Sequence, residues 1–200
     1  LSNQIFDSHR IQIRKQNQVI EINSVQIRFT ASYHHDGEGL HQYKDPTDSE
    51  EYLYTQFEAF NAHKCFPCFD QPDIKAELDF VSFSPKSWEV ISNETEKGRF
   101  EDRKQFGKML NEIDCPHDLC DRFTEADEPV LRIFNQTPKI STYLYAFVAG
   151  PYLSVEYNGL DKANYVPMKL YARKSFMKFV DPEMFFQLTK SGMDYYADFF

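Results

Sequence analysis

At 200 residues the chain has room for one ordinary domain, or for a domain and part of another. Its 42 % hydrophobic content, with 19 Phe and 12 Tyr, excludes a disordered chain, and a net charge of −9 argues against general nucleic-acid binding, which needs a basic face. No apolar run approaches the roughly 18 residues of a membrane-spanning helix; the polar opening at Leu1, in place of Met, gives no signal peptide to read and leads us to expect a piece of something longer.

In chain order, Ile11–Ile13 and Val19–Ile22 are short strand candidates. Val25, Ile27, Phe29, Ala31 and Tyr33 then alternate with polar residues, which predicts a half-buried strand. Asp36-Gly37 and Glu38-Gly39 mark a turn, and Lys44-Asp45-Pro46 opens a loop. Tyr52 to Phe57 is aromatic and extended; Ala76, Leu78 and Phe80 alternate, and Trp88 to Ile91 supplies another strand. Residues 94–128 carry 17 charged residues in 35, and their composition predicts a solvated insertion with one short helix around Arg103 to Asn111. Strand signal resumes at Val130–Phe134 and Thr142–Ala149, which closes at Gly150-Pro151. After a turn at Asn158-Gly159 comes an alternating run through Met168, Leu170 and Ala172. From Asp181, an N-cap followed by Pro182 at the first helical position, the period becomes helical. Phe185, Leu188, Gly192, Tyr195 or Tyr196, and Phe199 form its apolar stripe, which reaches Phe200 without a stop signal. Such a helix predicts a second domain that is truncated here.

Four cysteines, Cys65, Cys68, Cys115 and Cys120, are too few for a disulfide-stapled mini-domain. With His117 they allow a tetrahedral zinc site, but the loose spacing of the second pair favours reduced structural thiols. Cys65-Phe-Pro-Cys68 runs into Asp70, Pro72 and Asp73, which reads as a turn rather than the helix start of a redox motif. There is no H-E-x-x-H, no glycine-rich phosphate loop and no G-x-S-x-G elbow. His34-His35 abuts a turn and reads as exposed. Asn93-Glu-Thr95 and Asn135-Gln-Thr137 match the glycosylation triplet, a pattern that chance supplies in a chain of this length. No catalytic residue is nominated.

The densest stretch runs from Tyr54 to Lys75. In an extended segment Gln56 and Glu58 share a face, and a carboxylate beside a carboxamide can hold a protonated amine. The same spacing fits two solvent-facing residues of an edge strand. This stretch, preceded by Gly37-Glu-Gly-Leu-His-Gln-Tyr-Lys-Asp-Pro46, resembles the N-terminal domain of the aminopeptidase N family of zinc metallopeptidases, most closely its bacterial-type branch. Ser141-Thr-Tyr-Leu-Tyr-Ala-Phe-Val-Ala-Gly-Pro-Tyr152 is similar to the family's next signature strand. Met168-Lys-Leu-Tyr-Ala-Arg-Lys174 and the final helix look like the entry to its catalytic domain.

The resemblance implies a mainly β fold: an antiparallel β-saddle or sandwich over residues 1–167, lacking its first strands, then the truncated start of an α+β thermolysin-like catalytic domain over 168–200. It implies that Gln56 and Glu58 bind the substrate, Glu58 pairing with the α-ammonium of a peptide with a free N-terminus. The zinc, its ligands and the exopeptidase motif belong to sequence after Phe200, so this piece supplies recognition and the 200-residue chain alone is inactive. A cytoplasmic location, without nucleic-acid or membrane partners, goes with the same branch. The rival expectation is a non-catalytic β-sandwich binding module; a structural zinc domain built on the four cysteines ranks last.

Overall fold

The computed structural model describes residues 10–11, 24–112, 128–159 and 166–200. Residues 1–30 and 31–200 form two compact units. In the first, the described residues (10, 11 and 24–30) are all exposed.

Among its described residues the second unit has nine strands, all paired antiparallel, in three sheets. Strands β1 (Gly39–Lys44), β2 (Glu51–Gln56), β7 (Phe147–Gly150) and β4 (Glu89–Ser92) form a four-stranded sheet in the order β1-β2-β7-β4. Strands β3 (Val81–Pro85), β6 (Pro129–Phe134) and β5 (Glu96–Phe100) make a three-stranded sheet in the order β3-β6-β5. Strands β8 (Leu153–Glu156) and β9 (Lys169–Ala172) pair as a ribbon, so the boundary expected at 167/168 falls in the connection between two hydrogen-bonded strands. Helices α1 (Arg103–Glu112), α2 (Lys174–Met177) and α3 (Pro182–Phe199) complete the elements, with 3₁₀ turns at Ala62–Lys64 and Thr142–Leu144. No described helix is long and apolar enough to cross a membrane.

Strand β6 is central because it carries buried apolar side chains on both faces. Leu131 and Ile133 pack with Phe106 and Leu110 of α1, while Phe134 packs with Leu53, Val90 and Ala149 of the four-stranded sheet. Burying each such side chain contributes about 1.5–3 kcal/mol. Arg132, on the second face, is fully buried; its guanidinium donates to Ser84 Oγ at 2.5 Å and to the Trp88 carbonyl at 2.6 Å, and it lies 3.4 Å from Glu96. Asn93 ties β4 to the chain entering β7, donating to the Leu144 carbonyl and accepting from Ala146 N, both at 2.8 Å.

Several expectations change. Residues 25–33 lie outside every ladder of the described residues, and Val25, Ile27, Phe29 and Tyr33 are all exposed. Alternation prepares a strand, but a ladder needs a neighbour with free backbone groups. The expectation of a solvated stretch from residue 94 fails over 96–112. Strand β5 pairs with β6, and α1, where the short helix was expected, buries Phe106 and Leu110. The expected strand from Thr142 begins only at Phe147, because Thr142–Leu144 turns as 3₁₀. Most of Ile11–Ile13 and all of Val19–Ile22, together with Cys115, His117 and Cys120, lie outside the described residues.

Asp181 caps α3 as expected, accepting from Met184 N at 3.1 Å. The buried residue of that helix is Phe186, against the Tyr157 ring, while Phe185, Leu188, Tyr195, Tyr196 and Phe199 of the apolar stripe are exposed.

Candidate functional site

Strand β2 delivers Gln56 to the end of the four-stranded sheet, opposite Gly39 of β1. Gly39 has φ +66°, and a Cβ there would lie 3.0 Å from both His34 Cδ2 and Lys64 Cβ, so a side chain would be strained by the backbone conformation and would crowd both neighbours. Gln56 is the last strand residue. Glu58 lies in the turn beyond, so the shared strand face expected for the pair is replaced by a direct contact. Gln56 Oε1 accepts from Glu58 N at 3.0 Å.

Glu58 is exposed but its backbone is tethered. Phe57 before it is buried, and Ala62 four residues on has no exposed surface. Both join Cys65 and Tyr145 in one apolar cluster, and the Tyr145 hydroxyl is fixed by donating to the Ala76 carbonyl at 2.7 Å. Asn61 Nδ2 donates to the Glu58 carbonyl at 3.1 Å, and the Glu58–Ala59 peptide bond is cis. Among the described residues, no cation pairs with the Glu58 carboxylate and no donor reaches it.

The neighbouring charges are already engaged. Lys64 pairs with Glu38 and lies 4.0 Å from Asp36. The Glu38 carboxylate, as hydrogen-bond partner, raises the Lys64 ammonium above its usual pKa, and the backbone N–H of Glu38 holds the Asp36 carboxyl below the carboxylate range. Asp70, whose side chain is 5 % exposed, accepts from His63 N at 3.0 Å and from Thr142 Oγ1 at 3.1 Å. His63 Nδ1 donates to the same carboxylate at 2.7 Å.

The two described cysteines fit the structural expectation. Cys65 and Cys68 are free thiols; burial pushes Cys65 up to about 11, and burial, then Asp70, pushes Cys68 up to about 12. Both are therefore protonated at neutral pH, which suits a packed structural thiol and not a nucleophile. The described residues contain no group of three His, Cys, Asp or Glu side chains that could hold a metal. They therefore do not fit the zinc implied by the resemblance, and no step through a metal follows from them. A cleft of about 650 Å³ lies along β4, β8 and β9, and both cations on its lining are already paired: Arg99 with Glu89 at 3.4 Å and Lys169 with Glu156 at 3.6 Å.

What the Gln56–Glu58 turn offers is a carboxylate held at its backbone, open to solvent, with a carboxamide beside it. That is chemistry for a cation with several N–H donors. Sequence reasoning nominated both residues but missed Asp70, His63 and Thr142, whose approach joins positions 72 residues apart.

Over residues 3–108 the chain matches the family described as the Peptidase M1 N-terminal domain. It is 32 % identical over 180 residues to aminopeptidase N of Streptomyces lividans, an alignment covering 89 % of this chain and 18 % of that protein. Against human aminopeptidase N it is 34 % identical over 121 residues, 60 % of this chain and 10 % of the relative. Against the mitochondrial aminopeptidase 2 of Saccharomyces cerevisiae it is 29 % identical over 150 residues, 73 % of this chain and 13 % of the relative. The chain thus spans less than a fifth of the length of these relatives. A matched stretch reaching across β1 to β5 and into α1, in a mainly antiparallel β structure, places this chain in the Peptidase M1 N-terminal domain family.

Proposed function

We propose that this chain is the substrate-gripping part of a zinc metallo-aminopeptidase that releases N-terminal residues from peptides, and that Gln56 and Glu58 receive the free N-terminus. Residues 1–167 form its N-terminal domain and 168–200 enter the peptidase domain. The observation that carries the reading is the Glu58 carboxylate, anchored by its backbone yet without a cationic partner among the described residues. An α-ammonium supplies that charge and two or three donors at once. A blocked or internal peptide supplies neither, which leaves the carboxylate desolvated and unpaired under bound substrate and gives exopeptidase selectivity a physical basis. Zinc, which lowers the pKa of a bound water and polarises the scissile carbonyl, would be held by residues other than those described.

In the full-length protein, Glu58→Ala should raise KM and lower kcat/KM for an aminoacyl-anilide by about ten- to a hundredfold, the worth of a charged hydrogen bond of roughly 1.5–3 kcal/mol. A silent substitution would overturn the amine-anchor reading and favour a non-catalytic binding module. The 200-residue chain by itself should take up no catalytic zinc and turn over no aminoacyl-anilide; stoichiometric zinc with turnover would contradict that.

A further inference from the structure

Glu58 is useful as an amine anchor only if its backbone origin is fixed, because a charged contact displaced by about 1 Å loses much of its worth. Gln56 and Asn61 bond the Glu58 backbone directly. Asn61 in turn leads into the 3₁₀ turn at Ala62–Lys64, and Lys64 N donates to the Asn61 carbonyl at 3.2 Å. Besides the packing of Ala62 and the Lys64–Glu38 pair, the Asp70 carboxylate holds this turn from outside. One of its oxygens takes both the backbone N–H and the ring Nδ1 of His63, while the other takes the Thr142 hydroxyl from the 3₁₀ turn that precedes β7. The His63 ring also lies 4.7 Å from the Phe60 ring, two residues past Glu58. The carboxylate therefore joins three segments (the turn carrying Glu58, its own loop and the entry to β7) and spends both oxygens on protein donors.

We infer that Asp70 is a positioning residue for substrate binding: acting through His63, it sets where Glu58 is presented to the α-ammonium. The inference rests on Glu58 being the amine anchor. It adds a role for a residue that touches no substrate and whose own charge is consumed inside the protein.

The test uses the full-length protein and two competitive inhibitors that differ by one group, leucine hydroxamate and its des-amino analogue 4-methylpentanoyl hydroxamate. Asp70→Ala should raise Ki for the amine-bearing compound about three- to tenfold, the span of one neutral hydrogen bond, and leave Ki of the des-amino compound unchanged. Asp70→Asn should restore most of the selectivity. Its oxygen can accept from His63, and its NH₂ can donate to the Thr142 hydroxyl, which is able to accept. Equal weakening of both inhibitors by Asp70→Ala, or none, would overturn the inference, provided Glu58→Ala discriminates between them. If Glu58→Ala does not discriminate, it is the anchor reading that fails. Should Asp70→Ala not fold, His63→Ala carries the test, since that side chain is 46 % exposed and its removal leaves the backbone donor in place. Selective loss of the amine-bearing inhibitor would then support the role, and parallel or absent loss would overturn it.

Discussion

Two shielded carboxylates stand at the two ends of β2, and they are seated in different ways. Asp45, in the loop between β1 and β2, meets a full positive charge. Arg173 donates to it at 2.7 Å, with the Ser175 hydroxyl at 2.5 Å and Thr47 N at 2.9 Å. Arg173 also stacks over the Tyr43 ring at 4.5 Å, and Lys174 N donates to the Tyr52 hydroxyl at 3.1 Å, so the whole β9–α2 corner is drawn onto the β1–β2 hairpin. Asp70, beyond the other end of β2, gathers donors within its own neighbourhood and from one turn near β7. The first arrangement is a charged latch across 128 residues of chain; the second is a neutral-donor clamp that pins the turn carrying Glu58 to its own loop and to the entry of β7. One carboxylate therefore governs how much structure holds together, the other where one side chain points.

Phe57→Ala tests what the two share, the buried base of β2 and its turn. It should cost about 3–5 kcal/mol, read by denaturant unfolding, because it opens a cavity among Ala62, Cys65 and Tyr145. Next in size, Asp45→Ala should lower Tm clearly while leaving discrimination between the two hydroxamates intact; the reverse outcome would erase the distinction between latch and clamp. Acid sharpens it further. The Ser175 hydroxyl first, then the Thr47 N–H and the Arg173 charge, hold the Asp45 carboxyl below its usual value. Its stabilisation is therefore complete above the unfolded carboxylate pKa of about 3.9 and is lost as pH falls through the lower folded value. Wild-type protein should show an unfolding component below about pH 4 that Asp45→Asn lacks. At pH 8, iodoacetamide should label folded Cys65 and Cys68 far more slowly than unfolded chain, because both are raised well above that pH. The smallest effect belongs to Lys86→Ala. Its pair with Glu101 at 2.8 Å is half exposed on both sides, and Tm should not move measurably.

Legibility in the sequence followed the range of the forces involved. Strand β6 and the cap of α3 were readable because their signals are local: an apolar run, and Asp181-Pro182 before a helical period. Strand β1, Gly39–Lys44, was missed because its mostly polar letters show no apolar alternation; the ladder to β2 supplies its reason to be extended. Strand β5, Glu96–Phe100, hid behind its charges in the same way. Residues 25–33 failed in the opposite sense, with a good pattern and no ladder among the described residues. At the candidate site, Gln56 and Glu58 were nominated by residue type, but the turn that breaks their shared face was not. No periodicity announces that Asp70 will meet Thr142, because only the folded sheet brings the two turns together.

The latch also carries a clock. Asp45 and Arg173 are 128 residues apart. At a synthesis rate of about 5–20 residues per second, roughly 6–26 s separate the moment the ribosome adds the carboxylate from the moment it adds the guanidinium. The β1–β2 hairpin, whose partners are near neighbours, can close long before that. For that interval the emerging chain carries Asp45 without its counter-ion. The corner at Arg173 is thus a late event in biosynthesis, and a nascent chain stalled before it would display a finished hairpin with an open acidic end.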